Sequence, residues 1–507
     1  MRITGTHCCC VFLLGGLLFG AAIGIAEEDS ESSEPGIIPA EELAGRYQRL
    51  AEAVGESSLV VLFGKEAQIR SNDTEWPLKQ ANEIFYYTGL HTPGTAFALL
   101  QQGGSTYTAI FTNLGSPEHE TWVGRLPSAE TIKEWTGVDH VGSVDDLDWF
   151  VSAAINGGSW QAENDEWWRE PRFLDFYNDV LDGKARLWMH LGRRRRVSEG
   201  EDAASNVFVD RMATNFPEFR MRNITPFIHN QMEVKSEWEI GRLEETIDIT
   251  VEAHKAAMER AATADHEYQL EATIEYVFRD RGACCWAFPS IVASGDSGTI
   301  LHYNTNNAPI ERDKLVLVDI GAEVDGYAAD ITRTFPASGR FTDIQRDIYE
   351  AVADVQREMV ESVAPGVSYG TLATRSTEML GERLLELGLI EENTREQVRL
   401  YYFHGLSHTL GMDVHDVWEP YRDLRPGMVI TVEPGIYVRK KQVLASSVFK
   451  EMSEEARVQV EAALEVYDWI GVRIEDDVLV TSDGQRNLSE GAPRTVEAIE
   501  AFMASGR

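Results

Sequence analysis

The chain alternates between short, wholly apolar runs and longer stretches in which apolar residues recur every three or four positions. Leu59-Val60-Val61-Leu62-Phe63, closed by Gly64, reads as a buried strand. Residues 97–100 and 107–112 read as a hairpin around Gly103-Gly104. A helix is predicted over 40–54, and strands and helices alternate to about residue 191, the pattern of an α/β domain. Further on, Ser236 and Glu239 form a capping-box pair. Ile240, Leu243, Ile247 and Val251 then give one apolar helical face, which opens a second domain. Ile344, Ile348, Val352, Val355 and Met359 mark another helix, and 372–387 one more. The expected division is a tether at 27–39, an α/β domain at 40–207, a linker at 208–234 and a second α/β (α+β) domain at 235–503. The aromatic stretch Trp76 to Gly89 has no catalytic logic of its own and reads as core packing. The arginines at 193–196 read as a solvated loop.

The pattern breaks in one informative way. The apolar run Leu315-Val316-Leu317-Val318 ends on an acid, Asp319, and after a turn-rich segment a second strand-like run carries Asp330. A hairpin would set the two acids across from each other on one sheet. Asp beside Gly is common in turns, so Asp319 alone is more often a turn residue than a ligand. Yet Glu433 and Glu475 repeat the oddity, each in or at the end of an apolar, β-prone run. Buried carboxylates are costly unless neutralised. Four of them, with His302 and the cluster His404, His408 and His415, suggest one shared site. A single ion rarely needs four carboxylates, whereas two ions bridged by carboxylates do. Oxygen-rich ligation with one nitrogen suits Mn²⁺, with Co²⁺ or Zn²⁺ as alternatives. Gly405, Leu406 and Ser407 separate His404 from His408, which excludes the HExxH zinc-protease helix.

Composition narrows the partners. The 507 residues are 43% hydrophobic and 25% charged, an ordinary globular balance with room for two or three domains. The net charge of −37, from 83 acidic and 46 basic residues, argues against a nucleic-acid or anionic-membrane surface. Residues 8–26 carry no charge, follow Arg2 and His7, and precede an acidic, Ser-rich segment. This reads as a secretory signal over 1–26, cleaved after Ala26, and hence as an exported protein, periplasmic or secreted. An uncleaved membrane anchor is the competing reading, given the length of the run. Cleavage would leave only the adjacent Cys284 and Cys285, a pair that rarely bridges, so no disulfide framework is expected.

The stretches VDIGAEVDGYAADITRTFP, HGLSHTLGMDVHD, TVEPGIY and GVRIEDD together resemble the dinuclear-metal peptidases of the methionine aminopeptidase and prolidase superfamily, and most of all the aminopeptidase P family. WPLKQANEIFYYTG is similar to a signature of that family's N-terminal domain, so the likeness runs from about residue 40 to 500. The resemblance implies a pita-bread catalytic domain behind a creatinase/aminopeptidase P-type N-terminal domain. It implies two divalent ions on Asp319, Asp330, His408, Glu433 and Glu475, with Asp330 and Glu475 bridging. It places His302, His404 and His415 along the substrate cleft, gives Glu433 a proton to handle, and sets Tyr437 and Arg473 at the proline site. Trp122 resembles a residue that reaches a neighbouring subunit's active site, which implies a homo-oligomer, dimer or tetramer. The implied reaction is attack of a metal-bridging hydroxide on the bond before a proline in second position. Prolidase, which cuts only dipeptides, is the runner-up, and a catalytically dead binding homologue stays open behind it. Three departures stand out: Phe288 where relatives often carry Tyr, a longer segment over 438–470, and a stretch over 161–173 without clear counterpart.

Overall fold

The run at 59–63 becomes the centre of a sheet covered on both faces. In a computed structural model, residues 37–116, 120–122, 124–157, 171–191, 203–216, 219–418 and 422–505 are described. Strand Ser58–Phe63 pairs antiparallel with Ala96–Gln102 and parallel with Arg186–Met189. The full order is His140–Ser143, Ser105–Thr112, Ala96–Gln102, Ser58–Phe63, Arg186–Met189 and Arg220–Asn223. Val60 and Leu62 pack on one side with Leu43, Leu50 and Val54 of helix Ala40–Val54. Leu59 and Val61 pack on the other with Phe150 and Phe176 of helices Leu147–Asn156 and Pro171–Leu181. Burial on both faces explains why the strand is a continuous apolar run instead of an alternating one.

Two expectations change here. Residues 208–234 are not a linker. Helix Ala203–Asn215 buries Phe208 and Met212 against the sheet, Arg220–Asn223 is its edge strand, and Thr225–Glu233 is a helix whose Ile228 and Met232 are core. Apolar residues one helical turn apart carry that packing, a signal outweighed in the sequence by the surrounding polar residues. The end of the expected tether is also packed, with Ile38 fully buried in the core. The remaining tether, the signal at 1–26, the arginines at 193–196 and most of 161–173 lie outside the described residues.

The helix predicted from the Ser236 capping box forms. Ser236 caps helix Glu237–Ala261, and Glu239 returns the bond to the Ser236 amide. Helices Glu267–Asp280, Asp343–Glu361 and Tyr369–Glu386 join it around short antiparallel sheets. The 438–470 segment forms three helices, Lys440–Ala445, Ser447–Glu451 and Glu454–Tyr467.

The aromatic stretch before Gly89 packs across the domain junction. Phe85, Tyr86 and Tyr87 of helix Asn82–Thr88 are buried, and Tyr87 stacks on Phe97 at 5.3 Å. The guanidinium of fully buried Arg46 lies 3.9 Å over the Tyr86 ring and donates to the Tyr86 carbonyl at 2.7 Å. Lys79 Nζ donates to Glu323 at 2.7 Å and to the Met412 carbonyl at 2.9 Å, both in the second domain. One apolar cluster runs from Leu43 to Tyr327, Leu410 and Leu479, so the two domains share a core. Among the described residues no helix is long and apolar enough to cross a membrane.

Candidate metal centre

Each acid is delivered by a break in a β-ladder. Strands Leu315–Ile320 and Ile331–Pro336 pair antiparallel with Thr332, not Asp330, opposite Asp319. Asp330 instead sits one residue ahead of the second strand, where its amide donates to Asp477 at 3.1 Å. The intervening chain makes its own short strands, Ala322–Val324 and Tyr327–Ala328, turned by Asp325 and Gly326 with φ of 49° and 79°. Gly321 makes the crossing possible: a Cβ there would lie 1.8 Å from the Ala329 carbonyl oxygen, so only glycine lets the segment before Asp330 close over Asp319.

Glu433 and Glu475 arise from a matching interruption. Val429–Val432 pairs with Asp476–Val480, and Gly435–Tyr437 with Gly471–Arg473. Glu433 and Glu475 fall in the two gaps between these paired stretches, where a side chain leaves the ladder for the cleft. A bridge between Thr332 and Glu475 joins this ladder to the Asp319 sheet, and Thr332 Oγ1 donates to Glu475 Oε2 at 2.6 Å. His408 is held by its amide on Thr431 Oγ1 at 3.1 Å.

These side chains meet in a cleft of about 510 Å³ lined by His302, Asp319, Asp330, His404, His408, His415, Glu433, Arg473 and Glu475, with Phe288 at its wall. One ligand atom each from Asp330, His408 and Glu475 lies within 4.8 Å of the other two. His408 Nε2 is 3.4 Å from Asp330, 3.7 Å from Glu433 and 3.9 Å from Glu475. Its Nδ1 donates to the Thr409 carbonyl at 3.1 Å, which fixes the tautomer and leaves Nε2 as the lone-pair nitrogen facing the acids. Asp319 is turned to Arg473, whose Nη2 donates at 2.5 Å. Asp319 Oδ1 and Asp330 Oδ1 are buried without a hydrogen-bond partner among the described residues. A cation is the ligand such oxygens lack.

The electrostatics agree. Burial, then the charges of Asp319, Asp477 and Glu433, holds the Asp330 carboxyl well above its ordinary range. Burial, then Asp330 and Glu433, does the same to Glu475. Burial raises Glu433 to about 7, against the pull of His408 and Arg473. The donor set therefore fits divalent cations, which would take the place of protons the crowded acids otherwise retain.

His404 differs from His408. Its Nδ1 donates to the Gly405 carbonyl at 2.8 Å, and its Nε2 accepts from Tyr437 Oη at 2.9 Å. That hydroxyl accepts in turn from Arg473 Nη1 at 2.8 Å. Burial and the Arg473 charge lower His404 to about 3, so it is a neutral, doubly committed ring. His415 stacks on His408 with centroids 4.0 Å apart, and burial with the neighbouring His408 lowers it to about 4.

One expected residue stands elsewhere. Tyr437, fully buried, lies behind His404 and Arg473 and does not line the cleft. Trp122 is 83% exposed in the N-terminal domain and is not among the cleft residues of its own chain. Sequence reasoning also missed the supports. Arg333, fully buried, donates to Asp476 at 2.6 Å and to the Glu475 carbonyl at 2.7 Å. Although burial opposes it, Arg333 and Arg494 hold Asp476 down at about 2. The signal was available: Arg333 and Asp476 are charges inside strand-forming runs, as the four cleft acids are.

Comparison with known proteins identifies the lineage. Residues 241–482 match the model of metallopeptidase family M24, and 43–161 that of the aminopeptidase P N-terminal domain. The chain is 31% identical over 482 residues to the Xaa-Pro aminopeptidase of Escherichia coli, covering 93% of this chain and 99% of that protein. Human Xaa-Pro aminopeptidase 3 is 29% identical, covering 93% and 87% of the two chains. The solved structure of E. coli aminopeptidase P with the inhibitor Pro-Leu superposes with a TM-score of 0.77 at 29% identity, covering 93% of this chain and 99% of that one. Proline aminopeptidase P II from Yersinia pestis gives 0.76 at 28%, covering 92% and 100%. With both domain models matched in order and nearly the whole length shared, this chain belongs to the aminopeptidase P family of M24 metallopeptidases.

Proposed function

We propose that this protein is an Xaa-Pro aminopeptidase that releases the N-terminal residue from peptides with proline in second position. The observation that carries the reading is the convergence of Asp330, His408 and Glu475 within 4.8 Å, beside Glu433 and an Asp319 whose second oxygen has no partner among the described residues. The names of the relatives, Xaa-Pro aminopeptidases from bacteria and mammals, support it. These five residues would hold two divalent ions, Mn²⁺ by the hardness of the oxygen-rich set. Bound there, such ions supply Lewis acidity and a water activated near neutral pH.

The chain's own residues supply the rest. Arg473 orients Asp319 and, through Tyr437, fixes the His404 ring. Glu433 lines the cleft with one oxygen 3.7 Å from His408 Nε2 and the other 3.4 Å from His404 Nδ1, a position from which a carboxylate can take up and return a proton. His302 and His415 line the same cleft, which supports a role for them in binding the peptide. Proline at the second position removes the N–H that most peptidases hold, so a pocket shaped to the ring turns that lack into specificity. Exposed Trp122 fits a contact with a neighbouring subunit in a dimer or tetramer. The uncharged run over 8–26 supports export, with a mature chain starting at Glu27, and N-terminal sequencing of native protein checks it.

Hydrolysis of Xaa-Pro-Xaa tripeptides beside Xaa-Pro dipeptides, with added Mn²⁺, tests the activity. Tripeptides should give the higher kcat/KM. A higher value on dipeptides makes the protein a prolidase, and no cleavage of either makes it a binding homologue.

A further inference from the structure

A second cluster of ligating side chains lies in the N-terminal domain, remote in the sequence from every acid of the cleft. Glu83 stands in the first turn of helix Asn82–Thr88, His190 follows strand Arg186–Met189, and His229 lies within helix Thr225–Glu233. Glu83 Oε1 is 3.1 Å from His190 Nε2 and 3.7 Å from His229 Nε2. One ligand atom from each residue lies within 4.8 Å of the other two. We propose that Glu83, His190 and His229 form a Zn²⁺ site that clamps the end of strand Arg186–Met189 to the helix leading into the catalytic domain.

The geometry needs little change to close. Zinc bound at about 2.0–2.1 Å in a tetrahedron sets its ligand atoms about 3.3 Å apart, close to the two separations observed. The three backbones are already fixed relative to one another. Ile224 N donates to the Met189 carbonyl at 2.9 Å, which seats the end of the strand against the start of the Thr225–Glu233 helix. Tyr87 Oη donates to Gln231 at 2.9 Å, tying the Glu83 helix to the same one, and Trp188 meets Phe227 edge to face at 5.6 Å. The side chains are 15–18% exposed, so an ion can enter from solvent and a water can complete its shell. Two imidazoles and one carboxylate favour a borderline cation such as Zn²⁺, whereas the carboxylate-rich cleft favours a harder one. The competing account is a metal-free staple, in which Glu83 only accepts hydrogen bonds from the two rings.

Zinc stoichiometry separates the two. The full-length protein, stripped with chelator and re-equilibrated with Zn²⁺ in the presence of Mn²⁺, is assayed by atomic emission beside Glu83→Gln and the double variant His190→Ala/His229→Ala. Wild type should carry one more zinc per chain than either variant, while both still hydrolyse peptide, which reports their folding. Equal zinc in all three overturns the site. A measurement on wild type alone covers the case in which the variants do not fold. Acylation of His190 and His229 by diethylpyrocarbonate, mapped by mass spectrometry, should fall at least several-fold with Zn²⁺ relative to chelator. Labelling that zinc leaves unchanged leaves only the staple.

Discussion

Tyr437→Phe deletes one oxygen from the wall behind the cleft and tests whether that wall sets the His404 ring. The hydroxyl is fully buried, accepts from Arg473 Nη1 at 2.8 Å and donates to His404 Nε2 at 2.9 Å. Phenylalanine fills the same space, so no cavity opens. What changes is that a buried guanidinium N–H and an imidazole nitrogen both lose a partner. One lost bond is charge-assisted and the other neutral, and together they should cost about 2–4 kcal/mol of stability. Arg473 keeps Asp319 and Thr332, so the acids stay in place and metal content should match wild type. His404, with Nε2 released, can rotate or change tautomer, and loss of an orienting partner of this kind should lower the rate about 10–100-fold. The assay pairs urea unfolding at constant m with kcat and KM on an Xaa-Pro-Xaa peptide and with metal analysis. A midpoint shift worth less than about 0.5 kcal/mol, the range of a neutral surface change, or loss of the metals would refute this role of the Tyr437 hydroxyl.

Three further outcomes follow from the same geometry. Gly321→Ala would push a methyl to 1.8 Å from the Ala329 carbonyl, so the variant should lose bound metal together with more than about 3 kcal/mol of stability, read by atomic emission and denaturant melts. Asp330→Asn and Glu475→Gln should each lose both metal and activity, whereas His415→Ala should keep close to wild-type metal while the rate falls about 10²–10⁴-fold; metal loss in His415→Ala with retention in His408→Ala would reverse the two histidine assignments. Glu433 is raised to about 7, and Asp330 and Glu475 are raised well above the ordinary carboxylate range. A raised folded-state pKa contributes stability that is full below the ordinary value and lost as pH climbs through the folded one. Metal-free protein should therefore melt at progressively lower temperature from pH 5 to pH 8, and Mn²⁺ should reverse the loss while releasing protons, which titration calorimetry in buffers of different ionisation enthalpy detects. Asp476, at about 2, does not titrate in that window.

The supports of the centre follow the same physical rule as the cleft acids. Arg333 reaches Asp476 and the carbonyls of Thr332, Glu475 and Pro493 from a position with no solvent contact. Breaking one side of such a buried pair leaves an uncompensated charge. The Glu475 backbone is thus fixed by a network, Arg333 and Asp476, that does not line the cleft.

Local signals carried much of this protein. The helix at 40–54 and the Ser236 capping box were legible because each depends on residues within a few positions of one another. The acids were legible as a class, since a carboxylate ending an apolar run has to be neutralised by something. Tertiary structure alone decided which atoms meet. The ladder register put Thr332 opposite Asp319, and a Cβ-free crossing at Gly321 brought Asp330 in from beyond the strand end. Tyr437 passed behind the cleft because its strand buries both faces. The helix Thr225–Glu233 emerged from an apparent linker because its apolar partners lie in the sheet, in the first helix and in the second domain, far away in sequence. Glu83, His190 and His229 carry no sequence pattern at all: separations of more than a hundred and of nearly forty positions close only when the sheet, with its parallel edge strands, is built. Short-range chemistry is written in the order of residues, whereas contacts between distant segments depend on register and packing that no local window contains.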